Sequence, residues 1–161
     1  MMTLCLLLTA CGGTGGEAGD AADARMPYRN MAGCVMEAEV SCTQDGAAWE
    51  ATLQCDYVPE GETTVEVLAP ETIAGITAHV KDSTADVSFD DTQLGLGSLA
   101  NGRLAPLAAP YVLGQSWAGA YIDSTGTEDG LLRATYRLGY DKQELVVDTW
   151  FTEEPFTPQY A

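Results

Sequence analysis

The chain has 161 residues, with 24 acidic and 7 basic side chains and a formal net charge of −17. The phosphates of nucleic acid and the head groups of anionic lipids would be repelled by this charge, so neither is an expected partner. The length is sufficient for one domain with a hydrophobic core. We expect that domain over residues 30–161, preceded by two short N-terminal segments, 1–10 and 11–29.

The first segment contains a short apolar run, Leu4–Leu8, and this run leads into Leu8-Thr9-Ala10-Cys11. A small residue directly before a cysteine, at the end of an apolar run, resembles the bacterial lipobox. The resemblance implies that residues 1–10 are a signal peptide and that Cys11 carries acyl chains such as palmitate. It also implies that the domain works on the extracytoplasmic face of the cell membrane. No basic residue precedes the apolar run, although a secretory signal has one, and a start codon assigned too far downstream would explain this.

The lipid would be the membrane anchor, because each buried CH₂ of an acyl chain contributes about 0.8 kcal/mol. A spanning helix needs about 20 apolar residues, and no run in the sequence approaches that length. Residues 11–29 are rich in Gly, Ala and Asp and have no apolar periodicity, so we expect a flexible tether between lipid and domain. Residues 26–32 are ambiguous between a short helix and the approach to a strand.

Residues 34–43 alternate between apolar and polar side chains, as a half-buried strand does. Asp45-Gly46 is a preferred hairpin turn, and Pro59-Glu60-Gly61 marks the next turn. The first turn pairs apolar residues with each other: Cys42 with Trp49, Val40 with Ala51, Ala38 with Leu53, Met36 with Cys55 and Cys34 with Tyr57. The second does the same: Cys55 with Val65, Leu53 with Val67 and Ala51 with Ala69.

Three cysteines belong to the domain, Cys34, Cys42 and Cys55, because Cys5 leaves with the signal and Cys11 is acylated. All three point to the apolar face, so we expect buried thiols that act as small apolar groups. Cys34 and Cys55 are diagonal neighbours and form the one pair placed for a disulfide. Cys34 and Cys42 lie too far apart along one strand.

Residues 73–97 predict three short strands with turns at Lys81-Asp82 and Asp90-Asp91. The expected pairs are Ile76 with Val87, Ala78 with Ala85, Val87 with Leu94 and Ala85 with Leu96. His79 lies on the polar face of its strand, where a histidine is usually solvated.

Pro106 predicts the start of a helix of about three turns that ends near residue 117. A strand over residues 119–124 follows, and then a loop over 123–130, which lacks the glycine of an EF-hand calcium loop. A turn at Asp141-Lys142 predicts the last hairpin, with these pairs: Leu138 with Leu145, Tyr136 with Val147, Ala134 with Thr149 and Leu132 with Phe151. On the other face Arg133 meets Trp150, as a cation–π pair or in a patch that the helix covers, and Arg137 meets Val146.

About nine antiparallel strands and one late helix predict a mainly β (α+β) fold. We expect a strongly curved antiparallel sheet, a half-barrel with one helix on its concave side. Four stretches of the sequence follow a characteristic order: a strand that ends in proline, further strands, a helix that begins with proline, and a closing hairpin. These stretches are Val65–Thr77, Val87–Asp91, Leu104–Leu107 and Val147–Phe151. This order resembles the LolA/LppX-type lipoprotein carriers and their lipoprotein relatives in Gram-positive bacteria.

The LolA/LppX resemblance implies an apolar cavity for acyl chains inside the curved sheet. The chain departs from that pattern in two places, since no long amphipathic helix precedes the first strand and the closing strands are fewer. Our first hypothesis is a membrane-anchored extracytoplasmic lipoprotein that binds or carries a lipid or another apolar ligand. The candidate lining residues, which could instead form only the packed core, are Trp49, Leu53, Val67, Ile76, Val87, Tyr111, Trp117, Tyr136 and Val147.

The alternative hypothesis is a non-catalytic envelope module that binds a protein partner through an exposed apolar patch around Trp150 and Phe156. An enzyme is not expected, because the chain has one histidine and no G-x-S-x-G nucleophile motif. No carboxylate pair stands out among the 24 acidic residues. No cofactor and no metal site is expected either, since the sequence contains no C-x-x-C.

Overall fold

The computed structural model describes residues 15–44, 46–81, 84–89, 92–96, 104–139 and 144–161. These residues form two α-helices, α1 (Gly15–Arg29) and α2 (Ala109–Gly119), the second of which follows a short 3₁₀ turn at Pro106–Ala108. They also form ten strands: β1 (Cys34–Gln44), β2 (Ala47–Tyr57), β3 (Thr63–Ala69), β4 (Thr77–Lys81), β5 (Thr84–Phe89), β6 (Thr92–Leu96), β7 (Tyr121–Glu128), β8 (Leu131–Leu138), β9 (Leu145–Phe151) and β10 (Pro158–Tyr160).

The strands form two antiparallel sheets, where the sequence predicted one. Sheet A has six strands in the order β1-β2-β3-β4-β5-β6, and sheet B has four in the order β10-β9-β8-β7. The predicted mainly β, α+β class is confirmed. In the described ranges neither helix is long and apolar enough to cross a membrane.

Three of the hairpins have the predicted register. Every predicted pair between β1 and β2 is present, from Cys34 with Tyr57 to Cys42 with Trp49. The predicted pairs between β5 and β6 and between β8 and β9 are present as well. Register follows the apolar pattern because a slip of one residue would move every apolar side chain to the solvent face. The predicted turn residues Asp45, Asp90-Asp91 and Asp141-Lys142 lie outside the described residues.

Two other registers differ from the prediction. Between β2 and β3 the predicted pairs Cys55 with Val65 and Leu53 with Val67 are present, but Ala69 pairs with Thr52 instead of Ala51, because β3 has one extra residue, Leu68, opposite the step from Leu53 to Thr52. Ala78 pairs with Val87, two residues away from the predicted partner Ala85. A shift of two keeps the same side chains on the apolar face, so periodicity alone does not distinguish the two registers.

Two segments that the sequence predicted as irregular are regular. β7 continues to Glu128 and turns tightly at Asp129-Gly130, where both residues have positive φ, so the predicted loop over residues 123–130 is wrong. The predicted flexible tether is wrong for Gly15–Arg29, which is helix α1. A helix of 15 residues therefore precedes the first strand, where the sequence predicted a tether.

The core has two main parts, which lie against different faces of helix α2. One part is built on the inner face of sheet A and includes Leu53, Cys55, Tyr57, Val65 and Val67. The other is built on sheet B and both helices, and its buried members are Ala24, Trp117, Leu132, Ala134, Tyr136 and Phe151. α2 begins with Pro110 in its first turn, where the missing N–H costs no helical hydrogen bond.

Candidate functional site

The nine predicted ligand-lining residues do not form one lining. Six belong to the sheet A core: Trp49, Leu53, Val67, Ile76, Val87 and Tyr111. Three belong to the sheet B core: Trp117, Tyr136 and Val147. Leu53, Val67, Trp117 and Tyr136 are buried in packed clusters, and the other five are partly buried.

Helix α1 closes the sheet B core. The Tyr28 ring lies against Trp117 and Phe151, with ring centroids 5.3 and 6.0 Å apart, and its hydroxyl donates to the Phe156 carbonyl at 2.6 Å. The Arg25 guanidinium donates to the Ala120 carbonyl and lies 5.8 Å from the centre of the Tyr136 ring. Burial lowers the pKa of Arg25. These contacts fix α1 on the domain, which the composition of residues 15–29 did not indicate.

Several buried polar side chains have partners within the two cores. Trp117 Nε1 donates to Thr149 Oγ1 at 3.1 Å, and Thr149 is fully buried. Gln115 Nε2 donates to the Tyr57 hydroxyl at 3.1 Å. Burial raises the pKa of Tyr136 to about 12, because the phenolate would lose its hydration there.

The cysteines of the domain are free thiols. Cys55 is buried, whereas Cys34 and Cys42 are partly exposed, and no bridge joins Cys34 to Cys55. Burial raises the pKa of the Cys55 thiol to about 12 and raises that of Cys34 as well. A thiol held protonated is a poor nucleophile, so Cys55 has the apolar role expected from the sequence, whereas Cys34 and Cys42 are less buried than expected.

The outer face of sheet B carries two rows of aromatic, aliphatic and arginine side chains, which together we call the Trp150 face. In the first row, Arg133 lies 5.4 Å from the centre of the Trp150 ring, and Tyr160 stacks on Trp150 with centroids 4.7 Å apart and an angle of 24°. The second row crosses the sheet as Tyr121, Arg137 and Val146. Tyr121, Val146 and Tyr160 are 69%, 55% and 50% exposed. The predicted cation–π pair is therefore present, and the helices lie on the opposite side of this sheet.

Carboxylates neutralise both arginines of the Trp150 face. Arg133 lies 3.2 Å from Asp148, while Arg137 lies 2.9 Å from Asp123 and 3.0 Å from Glu144. The Arg137 hydrogen bond and charge lower the pKa of Asp123. The Trp150 face therefore combines flat aromatic rings with ion pairs, and neither arginine carries an unpaired positive charge.

Phe156 is not part of that exposed patch. It is partly buried against the sheet B core, and its carbonyl accepts the hydrogen bond from Tyr28 described above. The sequence grouped it with Trp150 because both follow the last long strand. The chain instead reverses between Thr152 and Thr157, where Thr152 N–H donates to the Thr157 carbonyl at 2.9 Å.

Two open cavities lie on the surface of the described part. One, of about 580 Å³, is lined by Glu39, Val40, Ser41, Glu50, Ala51, Thr52, Ala69 and Pro70. The other, of about 650 Å³, adjoins the Trp150 face and is lined by Gln115, Gly119, Ala120, Tyr121, Arg137, Leu138, Gly139 and Glu144. Their walls mix polar with apolar residues, and the nine predicted lining residues lie elsewhere. Sequence periodicity could not find either cavity, because periodicity indicates which face of a strand is apolar and not where neighbouring elements leave space between them.

His79, the one histidine of the chain, lies on β4 beside Glu62. Its Nδ1 lies 3.4 Å from a Glu62 carboxylate oxygen, and both side chains are substantially exposed. Over the residues that the structure describes, no cluster of three His, Cys, Asp or Glu side chains is arranged to hold a metal ion.

Among solved structures, the chain is similar in fold to a LolA superfamily protein from Nitrosomonas europaea, with 15% sequence identity and a TM-score of 0.44 over 88% of this chain and 68% of that chain. It is also similar to the CwlD amidase from Clostridioides difficile in complex with the GerS lipoprotein, with 15% identity and a TM-score of 0.37 over 94% of this chain and 86% of that chain. No family model and no curated protein matches the chain. The first similarity agrees with the LolA-type resemblance in the sequence and concerns the fold alone.

Proposed function

We propose that the protein is an extracytoplasmic lipoprotein, anchored through acyl chains on Cys11, whose domain is a non-catalytic module that binds a protein partner. The observation that carries the proposal is the Trp150 face. There Trp150 and Tyr160 lie beside Arg133, and Tyr121 lies beside Arg137, in two rows of one open sheet face that are separated by the pair Thr135 and Asp148. Trp, Tyr and Arg are the residue types that dominate the binding energy of protein interfaces.

The geometry of the Trp150 face suits a preorganised contact. The stack of Tyr160 on Trp150, and the hydrogen bond from Trp150 Nε1 to Glu128 at 3.0 Å, hold both rings in place before a partner arrives. Side chains that are already ordered lose little conformational entropy on binding. The ion pairs of Arg133 and Arg137 would supply the polar part of this contact, between and beside the two rows.

Site-specific photo-crosslinking in the producing cells tests the partner proposal. A benzoylphenylalanine placed at Val146 should give a discrete adduct with one protein, which is then identified by mass spectrometry. The same probe at Leu68, which is exposed on the outer face of sheet A, serves as the matched control and should give none. The adduct from position 146 should disappear in a Trp150→Ala background, and its survival there would refute the proposal.

The anchor is tested separately, because Cys11 lies outside the described residues. Cells that express the full gene are fed an alkyne-tagged fatty acid, and membrane and soluble fractions are compared. Cys11→Ser should abolish both the label and membrane retention, whereas Cys42→Ser, which changes a cysteine within β1, should abolish neither. A labelled Cys11→Ser variant would refute acylation at this residue.

A second candidate function, binding of a lipid or another apolar ligand, is favoured by one observation. Five of the nine predicted lining residues, Trp49, Ile76, Val87, Tyr111 and Val147, are only partly buried. Organic extraction of the purified protein, followed by mass spectrometry, tests it. A stoichiometric lipid that is lost on Val87→Asp would support a carrier, and an extract without lipid would argue against one.

A further inference from the structure

The first strand of sheet A has one open edge. β1 is 11 residues long, and within the described part of the chain it pairs with β2 alone. Its register with β2 is continuous over all 11 pairs. Natural edge strands are usually protected by shortness, a bulge, proline, lysine or a covering element, and β1 lacks lysine, proline and a bulge.

The other described edges differ from β1. β10 has three residues, Pro158–Tyr160, which is too short for extended pairing. β7 is approached by helix α1. Among the edge strands whose side chains the structure describes, β1 is the longest, with 11 residues against eight in β7 and three in β10.

The charged side chains on the outer face next to this edge are acidic. Glu37 and Glu39 project from β1 on the outer face of sheet A, and Glu50, Asp56 and Glu66 extend that face over β2 and β3. All five carboxylates are exposed. A second copy of β1 would bring its own Glu37 and Glu39 to the same face, where like charges repel, so a second copy fits this edge poorly.

A cavity that extends from β1 across β2 to the end of β3 offers a place for a side chain. The cavity of about 580 Å³ is lined by Glu39 and Ser41 of β1 and by Glu50 of β2. It reaches the end of β3 next to the extra residue of that strand, Leu68, and a bulge bends its strand and increases the local twist. Two carboxylates beside apolar Val40 and Pro70 suit the aliphatic stem and the cationic head of a lysine or arginine.

We propose that β1 accepts an extended, cationic segment of a partner protein as a seventh strand of sheet A. Backbone hydrogen bonds to the open edge would supply the pairing. Basic side chains at alternate positions of the segment would lie next to Glu37 and Glu39, and one of them would enter the cavity beside Glu50. The inference takes the protein partner from the proposed function, but it uses a surface separate from the Trp150 face.

A fluorescent heptapeptide of alternating lysine and valine tests the proposal on the full chain, purified in a non-ionic detergent. Fluorescence anisotropy should show saturable binding that weakens as salt is added. A peptide of alternating glutamate and valine should bind at least tenfold more weakly. Amide hydrogen exchange should slow at alternate residues of β1 when the lysine peptide is bound, because an added strand hydrogen-bonds to every second residue of an edge.

Variants with equal changes in net charge distinguish binding of the lysine peptide at β1 from its general electrostatic attraction to an acidic protein. Glu37→Lys together with Glu39→Lys should weaken the lysine peptide at least tenfold. Glu153→Lys together with Glu154→Lys makes the same change in net charge at exposed positions after β9 and should weaken it less than threefold. Equal losses in the two double variants, or binding without slower exchange in β1, would overturn the proposal.

The Trp150 face and the β1 edge can fail independently. Trp150→Ala should leave the affinity for the lysine peptide unchanged while it removes the crosslink from position 146. If Trp150→Ala removes the crosslink but the lysine peptide does not slow hydrogen exchange in β1, the inference about β1 is overturned and only the Trp150-face proposal remains. Slow exchange in β1 without any peptide, which increases with protein concentration, would show that a second copy occupies the edge and would also overturn the inference.

Discussion

Replacing Gly114 with alanine should destabilise the protein, although alanine is the better helix former. A Cβ built on Gly114 would lie 2.7 Å from Cδ2 and from Cε2 of Tyr57 and 2.9 Å from its Cγ. The ring has little room to move, because Tyr57 is 1% exposed and its hydroxyl accepts a hydrogen bond from Gln115. The missing side chain at Gly114 thus sets the distance between helix α2 and sheet A.

The magnitude follows from two opposing effects. Overpacking a filled core costs about 1–3 kcal/mol, and replacing glycine with alanine inside a helix returns about 1 kcal/mol. We expect a net loss of about 1 kcal/mol in the free energy of unfolding, which corresponds to a fall of about 4 °C in Tm for a domain of this size. Urea and thermal denaturation of residues 15–161, followed by circular dichroism, would measure it.

Gly119 supplies the matched control, because it is in the same helix and a Cβ there would have no neighbour within 4 Å. Gly119→Ala should leave the stability unchanged or raise it by up to about 1 kcal/mol. In a Tyr57→Leu background, which removes the ring atoms, the penalty of Gly114→Ala should largely disappear, as a double-mutant cycle would show. The reasoning is refuted if Gly114→Ala is as stable as Gly119→Ala in the native background.

Three further outcomes are expected. Trp117→Phe should cost about 1–3 kcal/mol, measured by urea denaturation, because it leaves the buried Thr149 hydroxyl without the indole donor. In the native protein at pH 8, Cys55 should react with a thiol reagent far more slowly than Cys42, since burial raises the pKa of Cys55 to about 12; equal rates would contradict its burial. Tyr136 ionises near pH 10 in the unfolded chain but at about 12 in the fold, so the free energy of unfolding should be highest below pH 10 and fall between pH 10 and 12. Tyr136→Phe should reduce that slope, and an unchanged slope would assign it to other groups.

The hairpins were the predictable part of the fold. Between β1 and β2 the apolar pattern excludes registers that differ by one residue, and the length of the turn selects the pairing of Cys42 with Trp49 among the rest. The same holds for Tyr136 and Val147 between β8 and β9. Between β4 and β5, registers that differ by two residues bury the same face, and the prediction was therefore wrong there.

Helix α1 was not predictable, because Gly15–Arg29 contains glycines, alanines and an internal proline and has no apolar stripe. Its position depends on contacts with residues about 100 positions away: Arg25 with Ala120, and Tyr28 with Phe156. Helices with weak intrinsic propensity obtain most of their stability from such packing. Sequence periodicity carries no signal for a contact of that kind.

The sequence by itself determined which face of each hairpin is apolar, the mainly β class and the residues available for the core, because strand periodicity and turn chemistry are local properties. Only the tertiary structure decided how that apolar surface is used. It divided the nine predicted lining residues between two packed cores, placed α1 over one of them, and left the Trp150 face and the β1 edge open to solvent. The reason is that burial depends on which elements pack together, and that depends on close approaches such as Gly114 against Tyr57, which local patterns do not encode.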